Sequence, residues 1–136
     1  MITREFTAYI KRAAGQDVHI PVSVRFAYDP DRDPLAVQAV FRVDEEEDRV
    51  WDFGWELLSE GVRSVSPHGR GDVKFRYFPM AAAVLMCLKS PEGHVDIALP
   101  LSEVGGFLHD TRKAFEEASQ DCTAMVDDFL KEVLGQ

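Results

Sequence analysis

The sequence predicts an α+β protein that forms a single domain over residues 1–136. It is expected to have about seven strands in one or more antiparallel sheets, a short helix after the fourth strand and two C-terminal helices. Apolar and polar residues alternate with a period of two through most of the first hundred residues, which is typical of strands with one covered face. From Leu101 onward the apolar spacing becomes helical. The 136 residues suffice for one ordinary domain and are too few for two.

The first four strands are expected over residues 3–12, 18–28, 35–43 and 48–53. In the second of these, every other residue from Ile20 to Phe26 is apolar, so one face of this strand should be buried. The segments between the strands contain glycine, two prolines and an acidic run at residues 44–48, and these residue types favour turns.

A short helix is expected over residues 55–60, closed by Gly61 in a left-handed conformation. Strand character returns at residues 72–78, 83–89 and 94–99. The last two strands are separated by Ser90-Pro91-Glu92-Gly93, in which proline comes early and glycine late, as in a tight turn.

The C-terminal region reads as two amphipathic helices. Gly105-Gly106 lies inside the first, at a cost of about 1 kcal/mol per glycine relative to alanine, which indicates that a bulky group packs closely there. Ser119 or Asp121 is the expected cap of the second helix. Its apolar stripe consists of Met125, Val126, Phe129, Leu130, Val133 and Leu134.

Charge and composition exclude several classes of protein. The formal net charge is −9, from 24 acidic and 15 basic residues, which argues against a general nucleic-acid binder and against docking on an anionic membrane. No apolar run reaches 18 residues, and no apolar segment follows the N-terminus, so neither membrane insertion nor a signal peptide is expected. Of the two cysteines, Cys87 and Cys122, Cys87 lies in an apolar run and is expected to be a buried free thiol, and a reducing, cytoplasmic setting fits best.

No catalytic or ligand-binding motif stands out. The four histidines and two cysteines share no metal-ligand spacing, and we expect no cofactor and no metal. Asp29-x-Asp31-x-Asp33 starts like a calcium loop, but Pro34 and Val40 occupy the positions that need glycine and glutamate. The chain is therefore predicted not to be an enzyme. A hydrolase that uses scattered carboxylates is the weakest alternative.

One segment is basic within this acidic chain. Residues 63–89 contain five basic residues and one acidic residue, whereas residues 101–136 carry a net charge of −5. The basic segment is interpreted either as a docking strip for an acidic partner or nucleic-acid strand, or as a surface that pairs with the chain's own acids. Aromatic residues at Trp51, Phe53, Trp55 and Phe75 form either a base-stacking platform or a core ridge. The long strands leave edges that a homo-oligomer would cover.

Four motifs in order resemble the SsgA-like proteins, small actinobacterial regulators of sporulation-specific cell division. Val50-Trp51-Asp52-Phe53-Gly54-Trp55-Glu56-Leu57-Leu58-Ser59-Glu60-Gly61 resembles their W-x-F-x-R-[DE]-L-L-x-x-G block, with Gly54-Trp55 where the family usually has Ala-Arg. His68-Gly69-Arg70-Gly71-Asp72-Val73 resembles the G-x-G-D-V turn, and Leu88-Lys89-Ser90-Pro91-Glu92-Gly93 the L-x-S-P-x-G hairpin. Pro100, Phe107-Leu108 and Thr111 resemble the P-x(6)-F-L-x-x-T helix.

The resemblance implies a non-enzymatic adaptor for septum placement at the division site, which recruits the tubulin-like protein FtsZ and influences cell-wall synthesis and autolysis. It also implies a homotrimer with a fold similar to the whirly-type single-stranded nucleic-acid binders, and other SsgA-like proteins as partners. Single-stranded nucleic-acid binding is the main alternative function. The candidate partner-binding residues are Trp51, Trp55, Leu57, Leu58 and Glu60 around the short helix, and Arg70, Lys74 and Arg76 in the basic segment. Leu57 and Leu58 have a second interpretation, as residues that anchor the short helix to the sheet. Trp55 is expected to lie on the surface.

Overall fold

A computed structural model describes residues 1–13, 16–42, 44–45 and 47–135. Seven strands pair antiparallel in one sheet, in the order β4-β3-β2-β1-β7-β6-β5. The strands are β1 (Ile2–Ala13), β2 (Gln16–Tyr28), β3 (Ala36–Arg42), β4 (Asp48–Gly54), β5 (Val73–Phe78), β6 (Ala83–Ser90) and β7 (Gly93–Pro100). This is the antiparallel sheet that the alternating pattern predicts. The predicted tight turn joins β6 to β7, where Ser90 pairs with Gly93.

Two α-helices complete the described chain, α1 (Trp55–Gly61) and α2 (Leu101–Leu134). The short helix after the fourth strand is confirmed, but the prediction of two C-terminal helices is wrong, because α2 is one continuous helix of 34 residues. Residues 107–134 contain neither proline nor glycine, so the backbone has no point at which to break. Ser119 lies inside α2 and does not cap it; its carbonyl accepts a hydrogen bond from the Thr123 hydroxyl at 3.0 Å.

The core lies on one face of the sheet, under α1 and the first half of α2. Phe26 is at its centre, with ring centroids 5.2 Å from Phe6, 5.7 Å from Phe53 and 5.4 Å from Phe107, all edge to face. Phe53 in turn contacts Phe75 at 5.0 Å. These aromatic contacts join four strands to α2, and edge-to-face pairs add stability beyond their buried area. The face predicted for the second strand is buried at Val22, Val24 and Phe26, whereas Ile20 is 50 % exposed.

The two adjacent glycines of α2 have different environments. A Cβ atom on Gly106 would overlap the guanidinium of Arg4, whereas one on Gly105 would meet nothing within 4 Å. Arg4 Nε donates to Glu103 at 3.2 Å and its Nη1 to Asp110 at 3.4 Å, so the arginine crosses α2 at Gly106. The close packing predicted for the pair is confirmed at Gly106 alone.

We expect Gly105→Ala to stabilise the protein by up to about 1 kcal/mol, because alanine favours the helix and the added methyl group has free space. Gly106→Ala should be less stable than Gly105→Ala by about 1 kcal/mol, since its methyl group displaces Arg4 from Glu103 and Asp110. Urea unfolding measures both variants, and the difference should disappear in an Arg4→Ala background. Equal stabilisation by the two alanines would contradict the assigned role of Arg4.

Candidate protein-binding surfaces

Trp55 lies in the core, although the sequence predicts a surface position for it. Its side chain is 3 % exposed, and its ring stacks on Phe115 with centroids 4.2 Å apart and planes at 13°. Its Nε1–H donates to the Thr111 hydroxyl at 2.8 Å, and that hydroxyl donates to the Phe107 carbonyl at 2.7 Å. The surface prediction is wrong because Thr111 and Phe115 of α2, more than fifty residues away, close over the indole.

The other candidates around α1 divide between core and surface. Leu58 is fully buried, as its anchoring interpretation predicts, and Leu57 is half-buried close to Gly69. Trp51 is half-exposed at the margin of the core. Glu60 is exposed, and its Oε2 lies 2.6 Å from His68 Nε2. Glu60 and Trp51 are therefore the accessible members of this group.

Gly61 is required for close packing and not for a left-handed turn. It is the last residue of α1, it is not among the residues with positive φ, and a Cβ atom on it would overlap the Phe75 side chain. The predicted left-handed terminator is therefore wrong. The glycine lets α1 approach β5 closely, and Phe75 lies beneath it in the core.

The loop before β5 contains the second family motif, residues 68–73. This loop lies along the outer edge of the sheet. Gly69 has φ +132°, and a Cβ atom on it would lie 2.8 Å from Leu57 and 2.9 Å from the Val73 carbonyl oxygen. His68 exchanges backbone hydrogen bonds with Phe75, at 2.8 and 3.0 Å. Gly71 also has positive φ, at +90°. The motif thus forms a turn that satisfies the outer edge of β5.

Two of the three basic candidates, Lys74 and Arg76, do not share a surface with α1. Phe75 faces the core, so its neighbours Lys74 and Arg76 project from the opposite face of the sheet. The Arg76 guanidinium lies 5.4 Å from the centroid of the Phe78 ring, and Arg70 is exposed in the loop. Within the part of the chain that the structure describes, none of these three basic residues forms an ion pair.

Cys87 and Cys122 are free and half-buried. Burial and, second to it, the neighbouring Asp96 carboxylate together raise the pKa of the Cys87 thiol to about 11. Because the thiolate is the reactive form, Cys87 is poorly suited to nucleophilic chemistry at neutral pH. Among the described residues, no three histidine, cysteine or carboxylate side chains are placed to hold a metal ion. No helix in the described ranges is both long and apolar enough to cross a membrane.

The second half of α2 exposes a long apolar surface, here called the distal stripe. Its six side chains are each 46–72 % exposed: Met125, Val126, Phe129, Leu130, Val133 and Leu134. They extend the helix face that begins with Thr111 and Phe115, which are buried against Trp55. The predicted stripe therefore exists, but the residues that the structure describes do not cover it. An apolar patch of this size is typical of an interaction surface.

A second apolar surface lies at the other end of the core face, where the described helices do not cover the sheet. It is a groove of about 370 Å³, here called the sheet groove. Its apolar lining is Ile10, Val22, Phe41, Trp51, Leu88, Val95 and Ile97, and its rim carries Arg49, Lys89, Glu92 and His94. Of the candidate partner-binding residues, Trp51 lines it, and so do Ser90 and Gly93 of the hairpin motif.

The chain is similar to proteins of sporulation-specific cell division. The family described as "Streptomyces sporulation and cell division protein, SsgA" matches residues 22–119. The sporulation-specific cell division protein SsgB of Frankia casuarinae is 38% identical over 115 residues, covering 83% of this chain and 77% of that protein. SsgB of Streptomyces coelicolor is 30% identical over 132 residues, covering 94% and 93%.

Solved structures show the same relationship. The SsgA-like sporulation-specific cell division protein of Thermobifida fusca superposes with a TM-score of 0.74 at 25% identity, over 93% of this chain and 94% of that one. A structure from work on SsgB mutations that correlate to longitudinal cell division during sporulation of Streptomyces coelicolor gives a TM-score of 0.69. Its identity is 30%, over 83% of this chain and 87% of that one.

Proposed function

Because the chain belongs to the SsgA family of sporulation and cell division proteins, we propose that it acts as a non-enzymatic adaptor in sporulation-specific cell division. The observation that supports an adaptor is the distal stripe, an apolar surface left uncovered by its own chain. Binding another protein would remove this surface from water, at roughly 25 cal/mol for each Å² of apolar area.

The finer proposal is that the chain recruits the tubulin-like division protein FtsZ to the septum, on the cytoplasmic side, and so influences local cell-wall synthesis. We also propose that it self-associates, as a trimer, and contacts other SsgA-like proteins. The strong negative charge supports protein partners over nucleic acid, since a nucleic-acid surface gains most of its affinity from basic residues.

The structure gives little support to single-stranded nucleic-acid binding. Phe53, Trp55 and Phe75 are buried, so these aromatics form a core ridge and cannot stack on bases. Lys74 and Arg76 lie on the opposite face of the sheet, beside Phe78. The similarity to the whirly-type fold remains a prediction from the family resemblance, and we propose no nucleic-acid function from it.

Co-sedimentation with FtsZ polymers tests the recruitment. We expect the native chain in the pellet with FtsZ, and at least tenfold weaker binding for Phe129→Glu, which places a charge in the centre of the distal stripe. This loss is expected whether FtsZ contacts the stripe itself or binds copies of the chain that are assembled through the stripe. Gln120→Glu is the matched control, because Gln120 is exposed and lies nine residues earlier on the opposite side of α2. If the native chain stays in the supernatant at low salt, both alone and with a second SsgA-like protein, recruitment of FtsZ is refuted.

A further inference from the structure

The two uncovered apolar surfaces lie at opposite ends of the strands. Near the end of β4, Leu35 and Gly54 line a cleft with Cys122 and Val126 of α2, so the helix leaves the sheet at that end. The sheet groove lies near the start of β4, at Arg49 and Trp51. The distal stripe therefore extends away from the groove of its own chain. A partner for either surface has to come from another molecule.

The charges around the two surfaces are complementary. Residues 121–135 contain four acidic residues, Asp121, Asp127, Asp128 and Glu132, and one basic residue, Lys131. The groove rim carries Arg49, Lys89 and His94 against Glu92. Lys89 has no ion-pair partner among the described residues, whereas Arg49 pairs with Glu47 at 3.1 Å. An acidic helix with an apolar stripe would thus meet, at the groove rim, Lys89 as the basic residue without an ion pair among the described residues.

Charge also distinguishes between two ways of joining copies of the chain. If the distal stripes of two copies packed on each other, the acids of residues 121–135 would be brought together, and like charges in contact oppose binding. Such a contact would also leave the sheet groove open. If the stripe of one copy lay in the groove of another, both apolar surfaces would be covered and the acids would face Lys89 and His94.

The distal stripe offers a large apolar area for such a contact. The six side chains of the distal stripe expose on the order of 600 Å² in total, at the upper end of the largest apolar patch of a typical monomer. The groove itself exposes less apolar area, because Val22, Phe41, Leu88 and Ile97 of its lining are each at most 7 % exposed, so the stripe contributes most of the apolar area of the contact.

We propose that the distal stripe of one copy occupies the sheet groove of a second copy. This inference rests on the proposed self-association and assigns the surfaces that make it. The contact joins two different surfaces, so it is heterologous, and each bound copy still offers one free stripe or one free groove. Closure into a ring, for which three copies suffice, leaves neither surface uncovered. Phe129, at the centre of the stripe, and Val95, in the groove, are the residues expected to contribute most.

Mixing two variants tests the contact. Phe129→Glu disables the stripe and leaves the groove intact; Val95→Glu does the reverse. In sedimentation velocity of the full chain, we expect the native protein to assemble and each variant alone to associate at least tenfold more weakly. An equimolar mixture should form one-to-one pairs, because the intact stripe of one variant fits the intact groove of the other. Gln120→Glu should assemble like the native chain.

The outcomes separate this inference from the proposed self-association. A native chain that stays monomeric at all concentrations refutes both. If the native chain assembles and Val95→Glu assembles equally well, the groove does not bind the stripe. The same follows if the mixture stays monomeric. In either case this inference alone fails. Should Val95→Glu not fold, the exposed rim variant Lys89→Glu with His94→Glu replaces it in the same mixture. That variant should also weaken assembly, since it reverses the charge opposite the acidic helix.

Discussion

Replacing Trp55 by alanine should lower the free energy of unfolding by about 3–5 kcal/mol, the usual cost of deleting a large buried aromatic side chain. Trp55 joins three parts of the fold. It begins α1, its backbone N–H donates to the Leu35 carbonyl at 2.9 Å, and its indole contacts Thr111 and Phe115 of α2. The guanidinium of Arg112 lies 5.2 Å from the ring and adds a cation–π contact. Alanine leaves a cavity under α2 that a single long helix cannot readily close.

Urea unfolding of a graded series checks this result. Trp55→Phe keeps an aromatic ring against Phe115 but loses the hydrogen bond to Thr111, and we expect a smaller loss of about 1–3 kcal/mol. Trp51→Ala is the matched control, because Trp51 is half-exposed and should cost less than Trp55→Ala. A loss below about 1 kcal/mol for Trp55→Ala would show that Trp55 is not part of the core.

The sheet could be predicted from sequence because its signal is local. Each strand has one covered face, so a period of two marks it, and glycine, proline and acidic residues mark the turns. The start of α1 at Trp55 agrees to the residue, and β4 ends at Gly54, one residue beyond its predicted end at Phe53. The short helix could also be predicted from sequence, and Leu58 anchors it to the core.

Contacts between distant segments could not be predicted in this way. Trp55 is buried by residues of α2, and the need for glycine at position 61 comes from Phe75 in β5. The spacing of apolar residues shows neither partner. For the same reason, the sequence could not show that Gly106 packs against Arg4 while Gly105 does not. Both helix-cap candidates were residues with suitable side chains, but α2 has no break in which a cap could act.

The candidate site was predicted only in part, for a related reason. The family motifs point to α1 and the loop before β5, and the structure shows that many of their side chains build the core or a turn. The distal stripe could be predicted from the helical spacing of its apolar residues. That spacing cannot show that α2 extends beyond the sheet and leaves the stripe exposed. The sheet groove combines residues from six strands, β1 to β4, β6 and β7, which no local spacing brings together.

We propose that the chain works in sporulation-specific division through its uncovered apolar surface and not through its buried motif. The most direct test replaces the native gene by one encoding Phe129→Glu and counts septa in sporulating cells. Phe129 is 62 % exposed, so the variant should fold and accumulate normally. We expect septation to fall to the level of a gene deletion, while Gln120→Glu septates normally. Normal septation with Phe129→Glu, at native protein levels, would contradict the claim.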